Sequence, residues 1–147
     1  MAGWREWAAL PGLHIPWIKV KLDTGARSSA LHAFDLAELP GDRVRFTVRP
    51  WQESDADAAV IEHDIHDRRV VRSSSGHTEE RIVILTEIVL SGQTVLAETT
   101  LSNRDQMGFR MLVGREALQQ GFLVDPAGSF LGGRAPREIR RRNRGRD

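Results

Sequence analysis

Residues 20–31 read Val20-Lys21-Leu22-Asp23-Thr24-Gly25-Ala26-Arg27-Ser28-Ser29-Ala30-Leu31. The run from Ile15 to Leu22 before Asp23 is apolar and β-branched, so it predicts a strand, with Pro16 suited to its start. Asp-Thr-Gly-Ala then predicts a tight turn, because Gly25 lets backbone approach closely. The stretch therefore sets one carboxylate, Asp23, on a turn at the end of a strand that enters a core. The chain carries a single copy of it.

Working outward, strand signals dominate. Ala30 to Phe34 is a short run, and Val44-Arg45-Phe46-Thr47-Val48 alternates apolar and polar as a half-buried strand does. Arg69 to Ser73 predicts another strand, then a turn at Ser73-Ser74-Ser75-Gly76-His77. Arg81 to Leu90 and Thr94 to Leu101 flank Ser91-Gly92-Gln93, a hairpin turn. Met111-Leu112-Val113 is a short apolar strand ending at Gly114. Arg115 to Gln120 predicts one short helix, stopped by Gly121. Phe122 to Val124 predicts a last strand, closed by Asp125-Pro126. The fold class expected is mostly β, with hairpins at short intervals.

The 147 residues suffice for one core, and 40% apolar with 28% charged residues fits a globular protein. No apolar run reaches the ~18 residues of a membrane span, so no membrane partner is expected. There is no cysteine, which excludes disulfides and thiolate metal sites. With no signal-peptide layout at Met1 to Trp7, a cytoplasmic location is expected. The net charge of +1 hides an uneven spread. Residues 52–67 hold six acids, Glu53, Asp55, Asp57, Glu62, Asp64 and Asp67, and no Lys or Arg, while residues 134–147 hold seven arginines. These runs read as solvated loop and frayed tail. Contact of the tail with RNA or an acidic partner is the sharper reading, although no aromatic is interleaved with the arginines for base stacking.

A lone buried carboxylate is costly. Two facing carboxylates can share one proton, one acting as base on a water while the other donates to a carbonyl oxygen. The chain has no second Asp-Thr-Gly, so the partner would come from a two-fold dimer, whose isologous interface brings a residue near its own mate. Two features strengthen this reading beyond the lone turn. Met111 to Arg115 is an apolar triplet ending in Gly-Arg, and residues 69–90 form a hairpin whose small, polar tip suits a mobile cover over a cleft.

In this order, Asp23-Thr24-Gly25-Ala26, the polar-tipped hairpin, the 81–101 hairpin and Leu112-Val113-Gly114-Arg115 resemble the retropepsins, the retroviral-type aspartic peptidases. Leu22 to Ala33, Ser73 to Gly76, Thr100-Leu101-Ser102-Asn103-Arg104 and Met111 to Arg115 look more closely like a bacterial family of retropepsin-like endopeptidases, often labelled ATP-dependent zinc proteases. Some members of that family are encoded near a glutamate ligase that modifies a ribosomal protein. The resemblance covers roughly residues 4–130.

The resemblance implies a closed β-barrel with one short C-terminal helix, a homodimer, and a peptide or protein substrate. It divides the chain into a peptidase domain, 1–131, and an Arg-rich tail, 132–147, expected to be disordered. It implies Asp23 as the catalytic carboxylate, with Thr24 locking the two turns across the dimer axis and Gly25 completing the motif. Ser73 to Glu79 becomes the flap, so Ala26, Arg27, Ser74, Ser75, Gly76 and His77 are the expected substrate contacts and Gly114 and Arg115 the structural ones. Viral enzymes place an acid where this chain has Arg27, and that acid pairs with the Arg of Gly-Arg. Arg115 must then find another partner: Glu116, Asp125 or a carboxylate of the other subunit. Arg27 is expected to be free for an acidic group in the cleft, which suggests acidic or glutamate-bearing substrates.

Other readings compete. The same fold could be a non-catalytic peptide- or ribosome-associated module. A zinc peptidase would want a His-Glu-x-x-His helix or an equivalent cluster. The histidines are His14, His32, His63, His66 and His77; His63 and His66 fall in the acidic stretch, His32 beside the active-site strand and His77 at the flap tip. No Gly-rich phosphate loop ends in Gly-Lys-Ser/Thr, so neither metal nor nucleotide cofactor is expected. Ser73 to Ser75 have only His77 near and no acid to orient it, which argues against a serine nucleophile. Trp4, Trp7, Trp17 and Trp51 are expected as core or interface anchors, and Asp105 and Asp125 as turn residues.

Overall fold

A computed structural model describes residues 1–51, 57–72, 75–103 and 108–145. The strands are β1 (Ala2–Leu10), β2 (Ile15–Asp23), β3 (Ser29–His32), β4 (Phe34–Leu39), β5 (Arg43–Val48), β6 (Ala59–Asp64), β7 (Asp67–Arg72), β8 (Thr78–Leu90), β9 (Gln93–Ser102), β10 (Met111–Gly114) and β11 (Val124–Ser129). Helix α1 spans Arg115–Leu118 and α2 spans Arg137–Asn143.

One sheet of eight strands runs β11-β1-β2-β10-β3-β9-β8-β7, and β1 also pairs with β8. That extra pairing, Ala8 against Leu90 and Ala9 against Val89, closes β1-β2-β10-β3-β9-β8 on itself. The closed, mostly β architecture expected from the sequence is what forms. Closure hides the edges of the ring and encloses Val20, Leu22, Leu31, Ile84, Ile88 and Met111, all buried. Each such side chain stabilises the fold by about 1.5–3 kcal/mol. A separate sheet, β4-β5-β6, packs Val44, Phe46, Val48 and Ile61 onto the same core. Arg68 of β7 ties it to the ring by bonding Glu38 of β4 at 2.7 Å.

Five elements differ from the sequence reading. β4 was read only as far as Phe34, and β11, expected at 122–124 with Asp125-Pro126 as its stop, instead starts at Val124 and runs through both residues, as the edge strand beside β1 where a proline is tolerated. β1 carries charges that disguise it as loop, and Glu6 is fully buried. Its carboxylate accepts from the backbone N–H groups of Gly3 at 2.7 Å, Leu131 at 2.8 Å and Gly132 at 3.0 Å, which satisfies the buried charge. β6 falls in the acidic stretch expected to be solvated loop. It alternates exposed Val60, Glu62 and Asp64 with buried Ile61, so its acids line one exposed face. The tail expected to be disordered from residue 132 instead forms α2, a second helix. Ala135 and Ile139 join Trp7 and Trp51 in a small cluster, with Trp17 and Phe130 packed against it. No helix of the described residues is long and apolar enough to cross a membrane.

Candidate active site

β2 and β10 run parallel in a register that pairs Val113 with Leu22 and Gly114 with Asp23. β10 in turn pairs antiparallel with β3, Leu112 against Ala30. The turn from Asp23 to Ser28 therefore leaves the sheet between two strands that flank β10. It is stitched down at several points. The Gly25 N–H donates to Asp23 Oδ1 at 2.9 Å, and the Ala26 N–H to the Asp23 carbonyl at 3.2 Å. From the other side, the N–H groups of Arg115 and Glu116 donate to the carbonyls of Ala26, at 2.8 Å, and Arg27, at 3.1 Å. The Gly114 N–H donates to Ser29 Oγ at 3.1 Å.

The contact at Gly114 requires glycine. A Cβ there would lie 2.4 Å from the Ser28 carbonyl oxygen and 2.9 Å from that of Ala26. Leu112-Val113-Gly114-Arg115 thus works as a brace for the Asp23 turn.

Asp23 is half-buried and opens onto a cleft of about 360 Å³, together with Ala26, Ser28, His32, Arg81, Thr100 and Ser102. β3 and β9 pair in parallel, Ala30 with Thr100 and His32 with Ser102, which carries the two hydroxyls to the cleft. His32 is buried, its ring tilted on Phe34 at 5.9 Å. The Arg81 side chain is only 16% exposed and lies 3.5 Å from Glu79. A larger space of about 460 Å³ adjoins at Arg81 and is lined by Asp35, Glu38, Glu79 and Glu80, but Asp23 is not part of it.

The expected site residues are distributed unevenly. Asp23 and Ala26 line the cleft, and Thr24 and Gly25 are exposed at the turn. Arg27 is not free, as the sequence reading had it. Its Nε lies 2.7 Å from Glu116 Oε1, outside the cleft lining, and Glu116 raises the guanidinium above its ordinary value by hydrogen bond and charge. Glu116, one of the partners expected for Arg115, is thus taken by Arg27 instead. The Arg115 side chain is exposed and has no hydrogen bond or ion pair among the described residues.

On the hairpin, β7 and β8 pair Val70 with Glu80 and Arg72 with Thr78. Ser75, Gly76 and His77 are exposed at its tip and do not line the cleft, while Ser73 and Ser74 lie outside the described residues, as do Glu53, Asp55, Arg104 and Asp105. Missed by the sequence reading were Ser28, His32, Arg81, Thr100 and Ser102 as a group. The signal for Thr100 and Ser102 was there, since alternate residues of a strand share a face. Arg81 offered none, because a single arginine at the foot of a strand reads as solvated. Among the described residues no three His, Asp or Glu side chains gather to hold a metal. His63 bonds the Asp64 carbonyl at 2.9 Å and His66 bonds Glu98 at 3.3 Å.

The family described as retropepsin-like aspartic endopeptidase RimB matches residues 1–135. The chain belongs to this RimB-like family. A Legionella pneumophila protein of unknown function, solved by structural genomics, has the same fold as this RimB-like chain: TM-score 0.73, 27% identity, 89% of this chain and 96% of that one covered. A simian foamy virus protease is a more distant likeness, with TM-score 0.46, 14% identity, and 78% and 91% covered. A Parasynechococcus marenigrum protein named probable alpha-L-glutamate ligase is 44% identical over 132 residues, 88% of this chain and 28% of that protein. A Shewanella pealeana protein of the same name is 42% identical over 141 residues, 93% of this chain and 31% of that protein. The RimB-like chain thus spans under a third of these curated relatives.

Proposed function

We propose that this RimB-like chain is an aspartic endopeptidase whose active site is completed by a second copy of itself. The observation that carries the reading is the register of Gly114 beside Asp23 at the cleft. It supports a carboxylate held rigidly at the end of a strand, with Thr24 and Gly25 exposed where a symmetry mate could meet them. In the dimer the two Asp23 carboxylates share one proton. The ionised one takes a proton from a bound water, whose oxygen attacks the peptide carbonyl carbon. The protonated one donates to the carbonyl oxygen, and collapse of the tetrahedral intermediate with proton transfer to the amine releases both products. The substrate lies extended between the β7–β8 hairpin and the cleft floor, adding a strand to the sheet.

Arg81 supports an acidic substrate. It is a poorly exposed guanidinium in the Asp23 cleft, with the Thr100 and Ser102 hydroxyls near for polar groups. Relatives named for glutamate ligation support glutamate-bearing chains as that substrate. This role passes from Arg27, which Glu116 holds at 2.7 Å outside the cleft, to Arg81, which lines the cleft and has Glu79 only at 3.5 Å. The cysteine-free composition supports a cytoplasmic location.

Digestion of a peptide library, with products read by mass spectrometry, tests the reading. Wild type is expected to cleave, and Asp23→Asn to cleave nothing while keeping its fold and dimerisation. Undiminished cleavage by Asp23→Asn would refute it.

A further inference from the structure

The Arg-rich tail is not a frayed end, and its fold builds a second cavity. β1 and β2 set Arg5, Trp7 and Lys19 on one face, Trp7 paired with Lys19. The Phe130 N–H donates to the Arg5 carbonyl at 3.0 Å, and Phe130 itself takes the left-handed backbone at φ 54°, uncommon for an aromatic residue. Segment 130–144 then brings Arg134, Arg140 and Arg144 over the same face. The result is a pocket of about 240 Å³ whose charged lining is four arginines and one lysine. No carboxylate of the described residues lines it.

The aromatic rings are already covered. Arg5 lies 5.0 Å, Lys19 5.5 Å and Arg134 5.4 Å from the Phe130 ring centre, and Lys19 also lies 5.5 Å from that of Trp7. These cation–ring contacts offset part of the repulsion between the cations. Arg140 Nε is buried and has no hydrogen-bond partner. A buried N–H donor without an acceptor is costly, and this one belongs to a side chain of the pocket's lining.

We propose that this pocket is a phosphate-binding site, separate from the Asp23 cleft. Its lining shares no residue with the cleft. Lys19 precedes Asp23 by four residues on β2, about 13 Å along the strand. A phosphoryl group carries up to about two negative charges and three acceptor oxygens, which answers converging guanidinium forks better than a carboxylate with one charge and two oxygens. The covered rings leave no free face for a base. The site therefore reads phosphate without sequence preference, as positioning contacts do. The phosphate can be a small free anion or one unit of an RNA backbone. The exposed Arg137 and Arg141 of α2, one helical turn apart, continue the positive surface for the latter.

Two titrations of the full chain distinguish the sources. Inorganic phosphate is followed by calorimetry, and a fluorescein-labelled twelve-nucleotide oligouridylate by anisotropy across a range of KCl. A labelled twelve-residue polyglutamate is the third probe. Arg140→Gln and the exposed Arg134→Gln are the variants, the second guarding against a folding effect of the first. If RNA is the source, the oligonucleotide binds, inorganic phosphate competes, and each variant weakens binding about tenfold or more. Each variant also flattens the slope of log affinity against log salt by about 0.7. If the source is a small anion, inorganic phosphate alone binds, with the same losses in both variants. Cleavage of a neutral peptide stays unchanged in both. Binding of neither phosphate probe, binding indifferent to both variants, or polyglutamate binding as tightly as the oligonucleotide would overturn the proposal.

Discussion

Gly114 lies beside Asp23 in the parallel register of β10 and β2, and a side chain on Gly114 would run into the Ser28 carbonyl at 2.4 Å. The carboxylate is thus positioned by a residue ninety-one places away that carries no side chain. Gly114→Ala must push the Asp23 turn off its brace. The expected loss is about 1–3 kcal/mol of stability by urea denaturation, as overpacking costs. Cleavage should fall further than the unfolded fraction explains, because the displaced carboxylate misses its geometry.

Arg27 and Glu116 hold the far side of the same turn across 2.7 Å. Arg27→Glu or Glu116→Arg alone should lower kcat/KM about ten- to a hundredfold by loosening the turn. The exchanged double variant should recover most of that loss. A double-mutant cycle on kcat/KM reads the coupling. The ratio of rates on acidic and neutral peptides should stay constant throughout, since Arg27 faces Glu116 and not the cleft.

Arg81 is the residue that should move that ratio. Arg81→Gln removes a charge-assisted bond of about 1.5–3 kcal/mol. Competing acidic and neutral peptides should show the preference for the acidic one falling by about ten- to a hundredfold, mostly through KM for the acidic peptide.

How much of this could be read from the sequence follows from where side chains must do more than alternate. β2, β5, the β8–β9 hairpin, β10 and α1 were legible because apolar periodicity and glycine-bearing turns specify them locally. β1 was not, since Glu6 is a buried charge satisfied only by backbone from Gly3 and residues 131–132. β6 was hidden by acids that prove to be its exposed face. α2 was hidden because its docking surface, Trp7 and Trp51, lies far off in sequence. At the site, Asp23 and Gly114 were legible as a motif pair. The Arg27–Glu116 bond was not, because it depends on which of two adjacent residues, Arg115 or Glu116, points back at the turn.

Acid should weaken the β7–β9 face first. Arg69 bonds Glu98 and also Asp67 at 3.0 Å, and its hydrogen bond, with that of His66, holds the Glu98 carboxyl below its ordinary value of 4.5. A depressed carboxyl stabilises the folded state above its unfolded value, and that contribution is lost as pH falls through the folded one. Denaturation midpoints should therefore drop as pH is lowered below 4.5. Glu98→Gln should flatten that drop and cost about 1 kcal/mol or less at neutral pH, as partly exposed pairs do.

Mixing subunits tests the shared carboxylate pair most directly. Wild type and Asp23→Asn, co-refolded in equal amounts, pair at random, so about a quarter of the dimers carry two Asp23 carboxylates. If the pair is the catalyst, cleavage falls to about a quarter of the rate given by the same total of wild-type chain. A rate of about one half, each wild-type subunit working alone whatever its partner, would contradict the account.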